Sequence, residues 1–218
     1  MAQTKAIIFD IDKTLSEDTS WLSLTRELGG SADEHLRIYE DYKNGLIKYD
    51  GAVHALLSLW RATGNANKPF FRQVFENLPL APGAQEAVSH AKSQARVCLI
   101  TGSMDLYAET VAQKLAVDEW YANTTLHWDD HGVLHGMDYE LNQAKRKLEQ
   151  LTEFCKKHAI SPEECIIFGD SDNDILLFEA TKRGVAVGND VPEELKAVAW
   201  KMIGSVSELP TVLSKESI

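Results

Sequence analysis

The sequence predicts an α/β fold, a three-layer Rossmann-like parallel sheet with an inserted small helical cap domain, on three observations. Short apolar runs recur and stop abruptly at polar residues, helix-periodic stretches lie between them, and one long block shows helical spacing with no strand. Ala6-Ile7-Ile8-Phe9 stops at Asp10, Val97-Cys98-Leu99-Ile100 at Thr101-Gly102-Ser103, Cys165-Ile166-Ile167-Phe168 at Gly169-Asp170, and Val185-Ala186-Val187 at Gly188-Asn189-Asp190. Apolar runs without polar alternation are strands buried on both faces, as in a parallel sheet covered by helices.

After the first strand, Ser16 to about Leu80 carries Trp21, Leu22, Leu24, Tyr39, Leu56, Leu57, Trp60, Phe71 and Phe75 at amphipathic spacing. Pro79 with Pro82-Gly83 marks the return to the sheet. Residues 16–81 are therefore expected to form the helical cap domain, and residues 1–15 with 82–218 the Rossmann-like catalytic core. Ala84 to Ser93, Met104 to Leu115 and Lys147 to His158 supply covering helices, the last with Leu148, Leu151, Phe154 and Cys155 on one face. Tyr121 to Tyr139 reads as a β-hairpin turning at Asp129-Asp130-His131-Gly132. In such open sheets ligands bind beyond the carboxyl ends of the strands. Asp10, Thr101 and Asp170 should therefore meet.

Composition narrows the function. The 218 residues hold 22 basic and 33 acidic side chains, a net charge of −11 that disfavours broad attachment to nucleic acid or an anionic membrane. No apolar run approaches the roughly 20 residues that span a bilayer. An odd cysteine count, Cys98, Cys155 and Cys165, argues against a disulfide framework. With no basic-then-apolar leader before the first strand, the expectation is a cytoplasmic enzyme.

Asp10 and Asp12 stand two residues apart at a strand end, where one carboxylate can attack phosphorus while the other gives a proton to the leaving oxygen and later takes one from water. Thr14 could hold that loop by hydrogen bonding. Asp170 and Asp174 in Gly169-Asp170-Ser171-Asp172-Asn173-Asp174 are read as one turn apart at the start of a helix, on one face. Acidic residues there also serve as caps, but hard oxygen donors clustered with Asp10 point to Mg²⁺, because converging carboxylates without a cation repel one another. Thr101, Gly102 and Ser103 offer a hydroxyl and backbone N–H groups as an anion cradle. Lys145 or Lys147 would balance the acidic site and bind a phosphoryl oxygen. His127, His131 and His135 recur every four residues, but a hairpin gives that spacing no single face, so a solvent-exposed role is expected over a metal site.

In order along the chain, Asp10-Ile11-Asp12-Lys13-Thr14, Thr101-Gly102-Ser103, a lysine, and Gly169-Asp170 to Asp174 resemble the motifs of the haloacid dehalogenase superfamily. The likeness is to its phosphoserine-phosphatase-like branch, with a helical cap after the first motif and a hairpin of the form Ala122-Asn123 followed by Asp130 to Gly136. The resemblance implies a Mg²⁺-dependent phosphomonoesterase acting on a small phosphorylated metabolite through an aspartyl-phosphate. It makes Asp10 the nucleophile, Asp12 the acid/base and a backbone-carbonyl metal ligand, Thr101 and Lys147 phosphate holders, and Asp170 a metal ligand. Asn173 and Asp174 would support metal, waters and lysine. Lys147, with Leu151 four residues on, fits the family's lysine motif better than Lys145.

Two departures stand out. Lys13 replaces a usually small or neutral residue, and Thr19 stands where phosphoserine phosphatases carry a glutamate, while Gly45 to Trp60 lacks the branch's arginine. Glu17, Asp18 and Arg61 are the alternative head-group contacts. A phosphotransferase of the same fold and a non-catalytic binding protein retaining it are the rival readings; a carbon–halogen hydrolase would not need Asp12 or Mg²⁺.

Overall fold

The computed structural model describes residues 3–214. Seven strands form one sheet: β1 (Ala6–Phe9), β2 (Arg96–Met104), β3 (Trp120–Trp128), β4 (Leu134–Tyr139), β5 (Cys165–Gly169), β6 (Gly184–Val187) and β7 (Lys201–Ile203). Their spatial order is β4-β3-β2-β1-β5-β6-β7, parallel except for the β3–β4 hairpin at one edge. β1 lies at the centre, in register with β2 through Phe9↔Leu99 and with β5 through Phe9↔Phe168. That register aligns three polar strand ends on one edge.

Strand residues alternate between the two faces, and the helices divide accordingly. Ile7, Phe9, Leu99, Ile166 and Phe168 pack with α5 (Ala84–Gln94) and α6 (Asp105–Leu115). Ala6, Ile8, Cys98, Ile100 and Ile167 pack with α7 (Gln143–His158), α8 (Ile175–Thr181) and α9 (Glu193–Val198). α10 (Leu209–Ser214) adds Leu209, Val212 and Leu213 to the first face. This is the three-layer α/β fold expected from the apolar runs. β7 was not expected: a three-residue edge strand with Met202 half exposed leaves no continuous apolar run to read.

Four helices intervene between β1 and α5: α1 (Ser20–Leu28), α2 (Ala32–Lys43), α3 (Tyr49–Ala62) and α4 (Lys68–Asn77). Ser31 and Asn67 start α2 and α4 by accepting the N–H of Glu34 and Phe70 with their side chains. The chain leaves and re-enters the sheet region side by side, since Ser16 bridges Leu80 and the Ala81 N–H donates to the Leu15 carbonyl at 2.8 Å. Leu24, Trp60, Phe71 and Phe75 share one apolar cluster with Met104 and Tyr107, so these helices are packed onto the first face of the sheet layer. Arg61 ties α3 to the hairpin, donating from Nε to the Leu134 carbonyl at 2.9 Å.

The hairpin turns at Asp129, whose Oδ1 accepts the N–H groups of His131 and Val133, with Gly132 at φ +76°. His127 pairs with Asp138 at 2.8 Å, while His131 and His135 are exposed. Among the described residues, the His/Cys/Asp/Glu group placed to hold a metal is at the strand ends and contains no histidine. All three cysteines are buried thiols.

Candidate active site

β1 ends on Asp10, and the chain then curls: the N–H groups of Thr14, Leu15 and Ser16 converge on the Ile11 carbonyl, and Lys13 takes a left-handed φ of 56°. A left-handed conformation costs a non-glycine residue about 1 kcal/mol, so the curl is held by its hydrogen bonds. It sends the two carboxylates to different partners. Asp10 Oδ1 accepts the Ile11 N–H at 2.7 Å, and Oδ2 lies 3.1 Å from Lys147 Nζ. Asp12 accepts from Ser20, the N–H to Oδ1 at 2.8 Å and the hydroxyl to Oδ2 at 2.9 Å, at the start of α1. The acid next to the nucleophile candidate is thus anchored by the helix block.

Lys147 is completely buried and also lies 2.7 Å from Asp174 Oδ1. Burial pulls its pKa down, but Asp10 and Asp174 outweigh this and hold it above the ordinary lysine value, so it is an ammonium. Lys145 instead faces water, 3.9 Å from Glu149. The helix that aims Lys147 starts a turn earlier than its apolar spacing indicates, because Asn142 Oδ1 caps it by accepting the Lys145 N–H.

Contrary to the four-residue spacing, Asp170 and Asp174 do not share one helical turn. Asp170 lies just past the end of β5, residues Asp172–Asp174 form a 3₁₀ turn, and α8 begins only at Ile175. The Asp174 carboxylate instead folds back: Oδ2 accepts the N–H groups of Asp170 and Ser171 at 3.2 and 3.4 Å. Gly169 makes this possible, because a Cβ there would come within 2.3 Å of Asp174 Oδ2. Thr14 Oγ1 makes a long contact to Asp170 Oδ1 at 3.5 Å.

Thr101-Gly102-Ser103 also differs from expectation. β2 continues through Met104, with its register against β3 shifting between Thr101 and Met104, instead of breaking into a strand-to-helix turn. The irregularity lets Thr101 Oγ1 accept the Ser103 N–H at 3.2 Å, so that N–H is already partnered. Ser103 Oγ meets Ser20 Oγ at 2.5 Å and thereby joins the chain leading to Asp12. Gly102 borders Gln143 and Asn173, and a Cβ there would lie 2.8 Å from Gln143 Oε1.

Oxygens of Asp10, Asp170 and Asp174 lie within 4.8 Å of one another. Burial first, then the Asp10 and Asp174 charges, pushes Asp170 up to about 8. Burial also raises Asp174 to about 6 and Asp12 to about 7, the latter opposed by the hydrogen bonds from Ser20. One buried ammonium serves three gathered carboxylates. Asn173 Oδ1, buried, accepts no hydrogen bond among the described residues. Surplus negative charge, hard oxygen donors and an orphaned carbonyl oxygen all fit a divalent cation such as Mg²⁺.

Asp10, Asp12, Asp170 and Asn173 floor a cavity of about 520 Å³ whose other walls include α1, α2, α3 and β4. Thr19 lines it; Glu17, Asp18 and Arg61 do not. The sequence reading missed Ser20, Gln143 and Tyr139. Ser20 carried one usable signal, a serine opening an amphipathic helix directly after the aspartate loop. The other two are brought in by the end of the hairpin and the first residue of α7, which no local pattern places.

The sequence profile of the haloacid dehalogenase-like hydrolases matches residues 7–179. Phosphoserine phosphatase of Archaeoglobus fulgidus is 25% identical over 94% of this chain, which spans 57% of that protein's length. Phosphoserine phosphatase of Methanocaldococcus jannaschii is also 25% identical, over 80% of this chain and 81% of that protein. A solved phospho-aspartyl intermediate analogue of phosphoserine phosphatase superposes with a TM-score of 0.75 at 24% identity, covering 98% of this chain and 99% of that one, and so shares the fold. With a profile match running from the first strand to α8, and a sheet that gathers Asp10, Lys147, Asp170 and Asp174 at its carboxyl edge, the chain belongs to the haloacid dehalogenase-like hydrolase family.

Proposed function

We propose that the chain is a Mg²⁺-dependent phosphomonoester hydrolase that works through an aspartyl-phosphate on Asp10, with residues 1–15 and 82–218 as catalytic core and 16–81 as cap. The observation that carries the reading is the buried row Asp10–Lys147–Asp174 beside Asp170. It pairs a carboxylate facing a cavity with a fixed ammonium and with surplus hard oxygen donors. The phosphoserine phosphatases to which the chain is similar support the phosphoryl assignment.

Asp10 supplies the attacking oxygen: its bond to phosphorus forms as the bond to the leaving alkoxide breaks. Asp12, raised to about 7, holds a proton near neutrality and gives it to that alkoxide. The resulting Asp12 carboxylate then takes a proton from water, whose oxygen displaces Asp10 from phosphorus, releasing phosphate and restoring both aspartates. Ser20 orients Asp12 through both of its oxygens. Lys147 holds the Asp10 carboxylate at 3.1 Å and stabilises phosphoryl charge, while Thr101, Gly102 and Asn173 face the phosphoryl position at the cavity floor. Asp10 and Asp170 side chains with the Asp12 backbone carbonyl would hold Mg²⁺, which supplies neutralisation of phosphoryl charge when bound.

The test is phosphate release from small phosphomonoesters. Asp10→Asn should cut kcat at least about a thousandfold with the fold retained, as expected for a nucleophile. Wild-type turnover should stop in EDTA and return with Mg²⁺. Undiminished activity of Asp10→Asn, or indifference to chelation, overturns the mechanism.

A further inference from the structure

We propose that the substrate's leaving group is an uncharged, apolar alcohol of about ring size, not an amino acid. This rests on the phosphomonoesterase reading above and specifies what occupies the cap side of the same cavity.

The cavity has two chemically distinct halves. Its charged lining groups, Asp10, Asp12, Lys13, Asp170 and Asp172, all belong to the aspartate loop and the strand-end loop after β5. The half contributed by α1, α2 and α3 carries no full charge. Trp21, Leu22, Leu36, Tyr39, Tyr49 and Val53 are among the residues that line it. His35, the titratable nitrogen base on that side, is held neutral because burial lowers its pKa to about 4.

An amino-acid leaving group would bring an ammonium and a carboxylate into this half. Moving an ion from water into protein without a partner is strongly unfavourable. Thr19 offers a neutral hydroxyl, and Arg61 is spent on the Leu134 carbonyl outside the cavity. Asp172 and Lys13 are exposed, so their attraction for a bound charge is screened by water.

The aromatic arrangement also selects against a quaternary ammonium. Tyr49 stacks on Tyr139 with centroids 6.3 Å apart, and Trp21 meets Tyr139 edge-on at 6.0 Å. Trp21 in turn stacks on Trp60 at 6.0 Å. Rings that pack on one another form a continuous wall. A cation box needs rings facing the charge from several sides, each within about 6 Å of it, and therefore standing apart from one another. A wall favours a flat or branched apolar body lying against it, and about 520 Å³ accommodates such a group with its phosphate.

The experiment compares kcat/KM for benzyl phosphate, phosphoserine, phosphocholine and ethyl phosphate with the wild-type protein and Mg²⁺. All four are alkyl esters, so differences report the leaving-group pocket more than intrinsic reactivity. Benzyl phosphate should exceed phosphoserine and phosphocholine at least tenfold. Tyr39→Ala and Leu36→Ala change partly exposed side chains of α2, and each should reduce the benzyl-to-phosphoserine ratio at least threefold. Equal or better turnover of phosphoserine or phosphocholine overturns the apolar assignment while the phosphatase reading stands. An unchanged ratio in both folded variants also overturns it. Failure to hydrolyse any of the four, ethyl phosphate included, removes the phosphatase reading and this inference with it.

Discussion

The floor and the roof of the cavity are built on different physical principles. The floor gathers ionisable groups from the ends of β1 and β5, the 3₁₀ turn and α7, buried and locked to one another: Lys147 is completely inaccessible and lies 2.7 Å from Asp174 and 3.1 Å from Asp10. The roof places aromatic and aliphatic side chains on helices, and Leu36 and Tyr39 there are partly open to solvent. A locked charge cluster can catalyse one class of chemistry with many leaving groups, because it addresses only the phosphoryl end. An adaptable apolar surface sets which leaving group arrives. On the proposed reading, the contrast assigns chemistry to the floor and selectivity to the roof, with the Ser20–Asp12 hydrogen bonds as the link between them.

The largest expected effect lies in the floor. Lys147→Ala would leave Asp10 and Asp174 buried without their cation, a type of loss that costs about 3–5 kcal/mol. Turnover of ethyl phosphate should fall by three orders of magnitude or more, and denaturant midpoints should drop. Lys147→Arg separates the two effects: if charge alone matters to folding, it should recover part of the stability while activity stays low, because a planar guanidinium cannot reproduce a point contact to both carboxylates. A Lys147→Ala protein with wild-type turnover would break the division between floor and roof at its strongest point.

This division also explains what was legible in the sequence. Asp10, Thr101 and Asp170 could be read as neighbours because each ends an apolar run, and parallel pairing in register brings such ends together. The residues that orient them were harder to see. Asp174 reaches back to the Asp170 and Ser171 N–H groups through a 3₁₀ turn, where four-residue spacing suggested a helix face. Thr101 to Ser103 stay in the strand because β3 pairs on either side of them, at Thr101 and Met104, a tertiary constraint absent from the local pattern. In the roof, amphipathic spacing announced helices but not which of their residues face the aspartates. Tyr139 reaches the cavity only because the hairpin joins the sheet edge, with its N–H donating to the Tyr49 hydroxyl at 2.9 Å.

An intermediate effect should arise in the roof through pH. His35 Nδ1 lies 2.6 Å from Thr25 Oγ1, buried, and its pKa falls from 6.5 to about 4 because burial penalises the imidazolium. The unfolded chain binds this proton more readily than the folded one. Stability contributed by neutral His35 is therefore complete above pH 6.5 and is lost progressively as pH falls towards 4, amounting to about 3 kcal/mol at the limit. Urea midpoints measured between pH 7.5 and 4 should fall more steeply in the wild type than in His35→Gln. Parallel curves would show that the roof does not hold this histidine neutral, and would weaken the contrast.

The smallest effect concerns the hydroxyl that ties the roof's aromatic rings together. Thr25 Oγ1 accepts the Trp60 indole N–H at 2.7 Å, contacts His35 Nδ1 and reaches the Trp21 carbonyl at 3.1 Å. Thr25→Val keeps the shape but leaves a buried indole N–H and an imidazole nitrogen without their partner, which should cost about 2 kcal/mol. For a chain of this size that is a fall in Tm of several degrees. Thr25 does not line the cavity, so its loss should act through the Trp60–Trp21 wall: KM for benzyl phosphate rises while kcat for ethyl phosphate stays near wild type at temperatures where the variant is folded. A folded Thr25→Val protein whose kcat for ethyl phosphate collapses would mean that roof and floor are coupled, with α1 transmitting the change through Ser20 to Asp12. The two outcomes are distinguishable because the first alters selectivity between esters and the second lowers all of them together.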